Sequence, residues 1–167
     1  MSSVAEIIEG LLAGPGCVDL SEYSVDIVVS LDCSCRPVGV YKSVCVPIRD
    51  YGVEPLSNAA RALRRIHEEL DVKRHSVYVH CRAGCGRTGT IVVAFLVLFR
   101  DMTLGNALNL FYSKRLCGPE SWEQHKFLDV LWRMTRRGIP WQRILEVMEE
   151  ASDLGGFMGV LAEDSLR

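Results

Sequence analysis

Ten consecutive residues, His80-Cys81-Arg82-Ala83-Gly84-Cys85-Gly86-Arg87-Thr88-Gly89, carry most of the chemistry this sequence can offer. A β-rich stretch ends at a cysteine, glycines crowd the turn that follows, and an arginine and a threonine open an apolar helical segment. Glycines let backbone N–H groups turn inward, and a helix N-terminus adds unpaired donors and the positive end of its dipole. Arg87 supplies a planar fork that matches two oxygens of a phosphate. The pattern predicts an anion cradle. Cys81 lies at its base, where the same positive field favours the thiolate, the form that attacks.

A cysteine and an arginine six residues apart carry little weight alone. With seven Cys and 15 Arg in 167 residues, chance supplies about 0.6 such pairs. Requiring His before the cysteine, Gly at the third, fifth and eighth positions after it and Ser or Thr at the seventh lowers the expectation to about one in a million. The competing explanation is a glycine turn around a structural cysteine.

HCRAGCGRTG resembles the signature loop H-C-x-x-G-x-x-R-[ST]-G of the cysteine-dependent protein tyrosine phosphatases. The short chain, without a large tyrosine-recognition region, is similar to their small (atypical) dual-specificity branch. The similarity runs from Leu11 to about Met134 and includes LLAGPG, VDIVVSL, VPIRDYGVEP and GPESWEQ. Low-molecular-weight phosphatases carry their loop near the N-terminus, so a loop at residue 81 argues against that relative. The resemblance implies a Cys-x5-Arg phosphatase fold, an α/β domain whose central, mainly parallel sheet is flanked by helices. It also implies roles. Cys81 would be the nucleophile of a cysteinyl-phosphate intermediate, and Arg87 with the backbone of residues 82–87 would hold the equatorial oxygens. Thr88 would hydrogen-bond the cysteine sulfur and help it leave. His80 would brace the loop, against the alternative of a merely packed histidine.

A leaving group needs a proton, and Asp50 in Ile48-Arg49-Asp50-Tyr51-Gly52 resembles the family's general acid, with Gly52 free to let the loop move. A solvent-exposed turn aspartate is the alternative. Asp32, before a hairpin-like excursion, and Asp71, at a helix end, are less well placed. Gln124 resembles a residue that positions the hydrolytic water in some relatives, although a helix-start glutamine is more often a surface group. Arg82 adds charge at the rim, or is only solvated there. Cys85 is a candidate disulfide partner for Cys81 under oxidation, if so tight a loop can close.

The elements that must position these residues show in the hydrophobic pattern. Val25–Leu31, Ser43–Ile48 and Ser76–His80 read as strands, and Ser57–Leu70 as a helix with apolar residues at 59, 63, 66 and 70. Strands separated by helices predict a mainly parallel α/β layer. The run from Thr90 to Phe99 reads as a buried helix. Further helical stripes lie at Leu104, Ala107, Leu108 and Phe111, then at Phe127, Leu128, Leu131 and Met134. After Gly138, Pro140 opens a helix with Trp141, Ile144, Leu145 and Met148 on one face. The stretch from Asp153, with three glycines, is expected to fray. The domain division expected is a catalytic domain at 1–137 and a helical extension of the same domain at 138–167.

Nineteen basic residues against 21 acidic ones leave a net charge of −2, which argues against a general nucleic-acid binder. The longest apolar run, ten residues, is too short to span a bilayer. The N-terminal Met-Ser-Ser-Val-Ala-Glu carries no signal pattern and the C-terminus no lipidation motif. A cytoplasmic monomer is expected. The seven cysteines show no zinc spacing, and in a cytosolic chain the default is free, mostly buried thiols, Cys33 and Cys35 included. Fifteen Arg to four Lys, with three Asn and two Gln, is a composition found in thermophile proteins, whose cytosol also tolerates disulfides.

The function expected is hydrolysis of phosphotyrosine, and of phosphoserine and phosphothreonine, in proteins, without metal or cofactor. The alternatives are a phosphoinositide or RNA 5′-phosphatase using the same loop, and a phosphate-binding module without turnover. A rhodanese-like sulfurtransferase also places a cysteine in a loop, but has no use for Asp50.

Overall fold

The computed structural model describes residues 4–164; Met1–Ser3 and residues 165–167, on which the expectations about the chain ends rest, lie outside the described residues. Strands β1 (Ala5–Ile8), β2 (Leu11–Pro15), β3 (Ile27–Ser30), β4 (Ser43–Cys45) and β5 (Val77–Cys81) form one sheet in the order β1-β2-β5-β3-β4. Only β1–β2 is antiparallel; the other pairs are parallel. Helices α1 (Leu56–His67), α2 (Gly86–Phe99), α3 (Leu104–Arg115), α4 (Trp122–Arg136), α5 (Trp141–Ala151) and α6 (Leu154–Asp164) complete the chain. The mainly parallel α/β layer is as expected.

Side chains alternate across the sheet with period two. Leu11, Ala13, Ile27, Val29, Val77 and Val79 face a core shared with the helices. Leu12, Val28 and Tyr78 face the other way and meet Val4, Leu20 and Val40. That second face has no helix over it; the chain between β2 and β4 covers it. A long covering loop buries little apolar surface, so its ordering entropy needs another source of compensation.

Disulfides supply it. Cys17–Cys35 and Cys33–Cys45, with Cα separations of 5.1 and 5.3 Å, pin this segment to the ends of β2 and β4. A third, Cys85–Cys117, leaves Cys81 as the single free cysteine. The default of free thiols is therefore corrected for six of seven cysteines, Cys33 and Cys35 among them. Cross-links of this kind remove conformational freedom from the unfolded chain. The excursion after Asp32 is not a hairpin either, because β4 runs parallel to β3.

Residues 138–164 depart from the sequence reading at one point. Ile144, Leu145 and Met148 of α5 are buried as the stripe predicts, but the glycine-rich stretch from Asp153 is helical rather than frayed. Asp153 Oδ1 accepts from Gly156 N at 2.7 Å, Leu154 N donates to Glu54 Oε1 at 3.0 Å, and Phe157 is fully buried against Phe127. Capping and two apolar anchors outweigh the helix penalty of three glycines, about 1 kcal/mol each.

At the end of α1, a π-helical turn over Glu68–Val72 buries Glu69 completely. Its carboxylate receives Lys42 at 3.3 Å, Arg65 at 3.1 Å, Lys73 at 3.3 Å and His75 at 2.7 Å. Burial alone would raise this carboxyl, but hydrogen bonds from His75, Lys73 and Lys42 outweigh it and bring the pKa down to about 2. A depressed carboxyl contributes stability above its unfolded value that fades as pH falls through the folded one. Glu69→Gln is expected to lower the melting temperature at pH 7 and leave the rate per folded molecule unchanged. The difference in melting temperature should shrink between about pH 4.5 and pH 2. A difference independent of pH across that window would show that the ion cluster is not its source.

Candidate active site

Every residue of the ten-residue motif lies at the C-terminal edge of the parallel strands, where open α/β sheets place their sites. Cys81 ends β5, the central strand, and α2 begins at Gly86. The loop between them packs onto the end of β2. Gly84 has φ +73°, and a Cβ there would meet Gly14 C at 2.1 Å, so no other residue fits. Gly16 N donates to Arg82 O at 3.2 Å and completes the seam.

Cys81 is nearly buried, at 3% exposure, on the floor of a cavity of about 550 Å³. Asp50, Tyr51, Arg82, Arg87, Tyr112, Pro119 and Glu120 are among its walls. Arg87 Nη1 donates to Ile48 O at 3.1 Å, and its Nε lies 3.5 Å from Asp50 Oδ1 without hydrogen-bond geometry. Asp50 is 62% exposed at the side chain and accepts from Tyr51 N at 3.0 Å. Cys81 and Arg87 of the ten-residue motif and Asp50 from a separate segment thus share one cavity. Asp50 and Arg87 are paired closely enough for an incoming phosphate to compete with the carboxylate for the guanidinium.

The loop bearing Asp50 is held from α4. Arg49 Nη2 bonds Glu123 Oε2 at 2.8 Å and approaches Glu54 at 3.7 Å. Gly52, expected to give this loop freedom, is buried beneath that pair instead; a Cβ would lie 3.0 Å from Glu123 Oε2 and 3.1 Å from Arg49 Nε. Its missing side chain serves close packing. Gln124 is fully buried rather than on the surface. Its Oε1 accepts from Glu120 N at 2.9 Å and Ser121 N at 3.2 Å, and its Nε2 reaches Gly52 O at 3.5 Å. With Ser121 it forms a capping box on α4. The same Nε2 lies 3.2 Å from where a Gly86 Cβ would be, so Gln124 sits between the acid loop and the phosphate loop.

His80 is fully buried, and its Nδ1 faces Cys81 O at 3.0 Å and Asp32 Oδ1 at 3.8 Å. Burial pushes its imidazole below the ordinary histidine value, against the carbonyl and the Asp32 charge. A neutral ring facing a carbonyl carries its proton on Nδ1, which leaves Nε2 as a bare, unpartnered acceptor. Burial pulls Asp32 upward, but hydrogen bonds from Ser34 and the charge of Arg87 hold it lower. Asp32 is thus a neighbour of His80 and is not among the residues that line the cavity. Asp71 pairs with Arg100 at 2.6 Å and His67 at 2.8 Å and also stays outside it. Thr88 is buried, but its hydroxyl makes no hydrogen bond, to the Cys81 sulfur or elsewhere. Arg82 lines the rim and is exposed.

Cys85 is bonded to Cys117, not to Cys81, so the candidate loop disulfide is replaced by a link to the segment after α3. Sequence reasoning also missed Arg115, whose Nε donates to Gly84 O at 3.2 Å and whose Nη2 donates to Ala83 O at 3.0 Å. It missed Glu120 as well, a second carboxylate at the cavity wall, its Oε1 2.6 Å from a Cβ on Gly86. Nothing local marks either one; Arg115 is brought in by the end of α3 and Glu120 by the α3–α4 connection. A larger cleft of about 720 Å³ lies at the opposite end of the strands, between Gly10, Asp26, Asp71 and Arg100, and contains no cysteine. Among the described residues, no group of three His, Cys, Asp or Glu is placed to hold a metal ion, and no helix is long and apolar enough to cross a membrane.

The dual specificity phosphatase catalytic domain profile matches residues 15–134. The chain belongs to the dual specificity phosphatase catalytic-domain family. Mouse dual specificity protein phosphatase 13B is 36% identical over 83 residues, which is 45% of this chain and 42% of that protein. Phosphatidylglycerophosphate phosphatase PTPMT1 of Arabidopsis thaliana is 38% identical over 73 residues, 40% of this chain and 21% of that protein. Among solved structures, Tk-PTP in its active form has a TM-score of 0.68 at 28% identity, covering 78% of this chain and 97% of that one. The matches span less than half the length of the two curated relatives. The dual specificity phosphatase profile ends before α5, so α5 and α6 lie beyond it.

Proposed function

We propose that this chain is a cysteine-dependent protein phosphatase that hydrolyses phosphotyrosine, phosphoserine and phosphothreonine through a cysteinyl-phosphate intermediate. The convergence of Cys81, Arg87 and Asp50 on one cavity carries this reading. A substrate phosphate enters the loop, displaces Asp50 from Arg87 and takes the guanidinium fork. The Cys81 sulfur attacks phosphorus, and Asp50 donates a proton to the departing oxygen. Arg87 and the loop amides hold charge on the equatorial oxygens throughout. Water then attacks the phosphocysteine, with Gln124 beside the loop to place it, Asp50 to take its proton and Thr88 to stabilise the sulfur that leaves. His80 holds the Cys81 carbonyl and so the loop's base. Tyr51 and Tyr112 give the cavity aromatic walls suited to an aryl phosphate.

The segment after residue 137 is proposed to be a helical extension of the catalytic domain over its described residues, 138–164, supported by α5 packing its buried face into the common core. The accompanying proposal is a cytoplasmic monomer acting on phosphorylated proteins, without a general affinity for nucleic acid. Three disulfides suit a cytosol of the thermophile kind, in keeping with the arginine-rich, amide-poor composition. The Arabidopsis phosphatidylglycerophosphate phosphatase favours one second reading, a phospholipid headgroup as substrate.

A phosphate-release screen over phosphopeptides, phosphoinositides and RNA 5′ ends, with Cys81→Ser as blank, tests both readings. Phosphopeptides are expected to be turned over fastest, with full activity in excess chelator. Preference for a lipid or RNA end would replace the substrate class. Loss of activity in chelator, restored by a divalent ion, would overturn the cysteine mechanism.

A further inference from the structure

The phosphate loop is gripped by one short segment, Arg115–Cys117, whose Cys117 also borders the cavity. Cys117 is bonded to Cys85 with a Cα separation of 5.4 Å, and its sulfur lies 4.0 Å from Gly84 O. Arg115 donates to Ala83 O and Gly84 O at 3.0 and 3.2 Å. In a trans peptide unit the C=O and the following N–H point in opposite directions. Drawing the carbonyls of Ala83 and Gly84 outward therefore turns the N–H groups of Gly84 and Cys85 the other way, toward the cavity side of the loop. These are two of the amides an oxyanion needs. Gly84 holds this arrangement in the left-handed region, at φ +73°, where a free loop has many alternatives.

We infer that the Cys85–Cys117 disulfide and Arg115 form a positioning device that holds the loop amides in their oxyanion-binding orientation. The disulfide acts on the reaction, not only on stability. This inference rests on the reading of the loop as a phosphate cradle. It assigns Cys85 a different part from that of a partner for Cys81: by closing onto Cys117, it leaves the nucleophile as the one free thiol.

Tungstate, a phosphate mimic, and an aryl phosphate are the probes. The Cys85→Ala/Cys117→Ala double variant is expected to bind tungstate about tenfold more weakly and to lose about tenfold or more in kcat/KM, with the protein still folded by circular dichroism. Treating the wild type with a water-soluble phosphine should do the same. The phosphine gives an electron pair to the S–S bond; water supplies the two thiol protons and the oxygen of the phosphine oxide. The double variant, treated in parallel, should show no further loss, which separates this disulfide from the other two. Arg115→Gln, which keeps the disulfide, should also weaken tungstate binding, and decides the matter if the double variant does not fold. Unchanged tungstate affinity and kcat/KM in a folded protein lacking the disulfide, or in folded Arg115→Gln, would reduce the segment to a brace and overturn the inference. Failure of the wild type itself to bind tungstate would instead reject the phosphate-cradle reading.

Discussion

Cys81→Ser is expected to abolish turnover while leaving oxyanion binding intact. The substitution removes the thiolate and keeps the loop, its helix N-terminus and Arg87, so the protein can still hold a phosphate but has nothing to attack it with. A rate loss on the order of 10⁶-fold is the scale seen when a covalent nucleophile is deleted. Tungstate affinity, measured by calorimetry, should change by less than about threefold, because Cys81 is small and nearly buried and the charge clamp belongs to Arg87. Arg87→Lys should behave in the opposite way and lose both binding and rate, by about 10²-fold or more. A lysine has one ammonium and cannot both hold Ile48 O, as Nη1 does at 3.1 Å, and present a fork to phosphate. A rate near wild type for either variant would mean that the loop has been misassigned.

Asp50→Asn is expected to separate substrates by how badly their leaving groups need a proton. A general acid contributes about 10²–10⁴-fold, but only where the departing oxygen is basic. Tyrosine leaves as a phenoxide whose acid has a pKa of about 10; serine leaves as a far more basic alkoxide, and p-nitrophenol departs almost unaided. The variant should therefore be strongly impaired on phosphotyrosine peptides, at least as impaired on phosphoserine peptides, and much less so on p-nitrophenyl phosphate. Because the Asp50 carboxylate lies 3.5 Å from Arg87 Nε, its removal also frees the guanidinium, so tungstate affinity should stay level or tighten. Equal losses on all leaving groups, with weaker oxyanion binding, would assign Asp50 a structural part and reopen the search for the acid, Glu120 being the next carboxylate on the cavity wall.

The parts of the fold that were legible in sequence are those where local pattern and global packing agree. The β-branched stretches of β3 and β5, the unbroken apolar run of α2 and the stripe Phe127, Leu128, Leu131 and Met134 of α4 each signal their own burial. The β1–β2 hairpin was not visible, because Leu-Leu-Ala-Gly-Pro contains no β-branched residue and becomes a strand only by pairing with β1 and β5. The last helix was hidden by its glycines, which its own Leu154 and Phe157 override by burial against the rest of the fold. Disulfide connectivity is a property of the folded chain: Cys85 and Cys117 are 32 residues apart in sequence and meet only once α2 and α3 have packed.

In the site, Cys81 and Arg87 were legible because their spacing is the chemistry. Asp50 was legible because the segment after the Ser43–Ile48 stretch resembles the family's general-acid loop, although β4 itself ends at Cys45. The structure alone brings in Arg115 and Glu120, and it alone buries Gln124 as the link between Gly52 and the phosphate loop. These residues act through carbonyls and close approaches contributed by distant segments, and such contacts leave no pattern in sequence.

The central claim, that the phosphoryl group passes through Cys81, is tested most directly by trapping it there. Acid-quenching the wild-type enzyme in steady-state turnover of an aryl phosphate, followed by proteolysis and mass spectrometry, should place an added phosphoryl group on the peptide containing Cys81. That group should vanish in Cys81→Ser and accumulate in Asp50→Asn, where an activated leaving group still departs but water is no longer deprotonated. Turnover at the wild-type rate with no phosphoryl group on Cys81, or with one on another residue, would contradict the account.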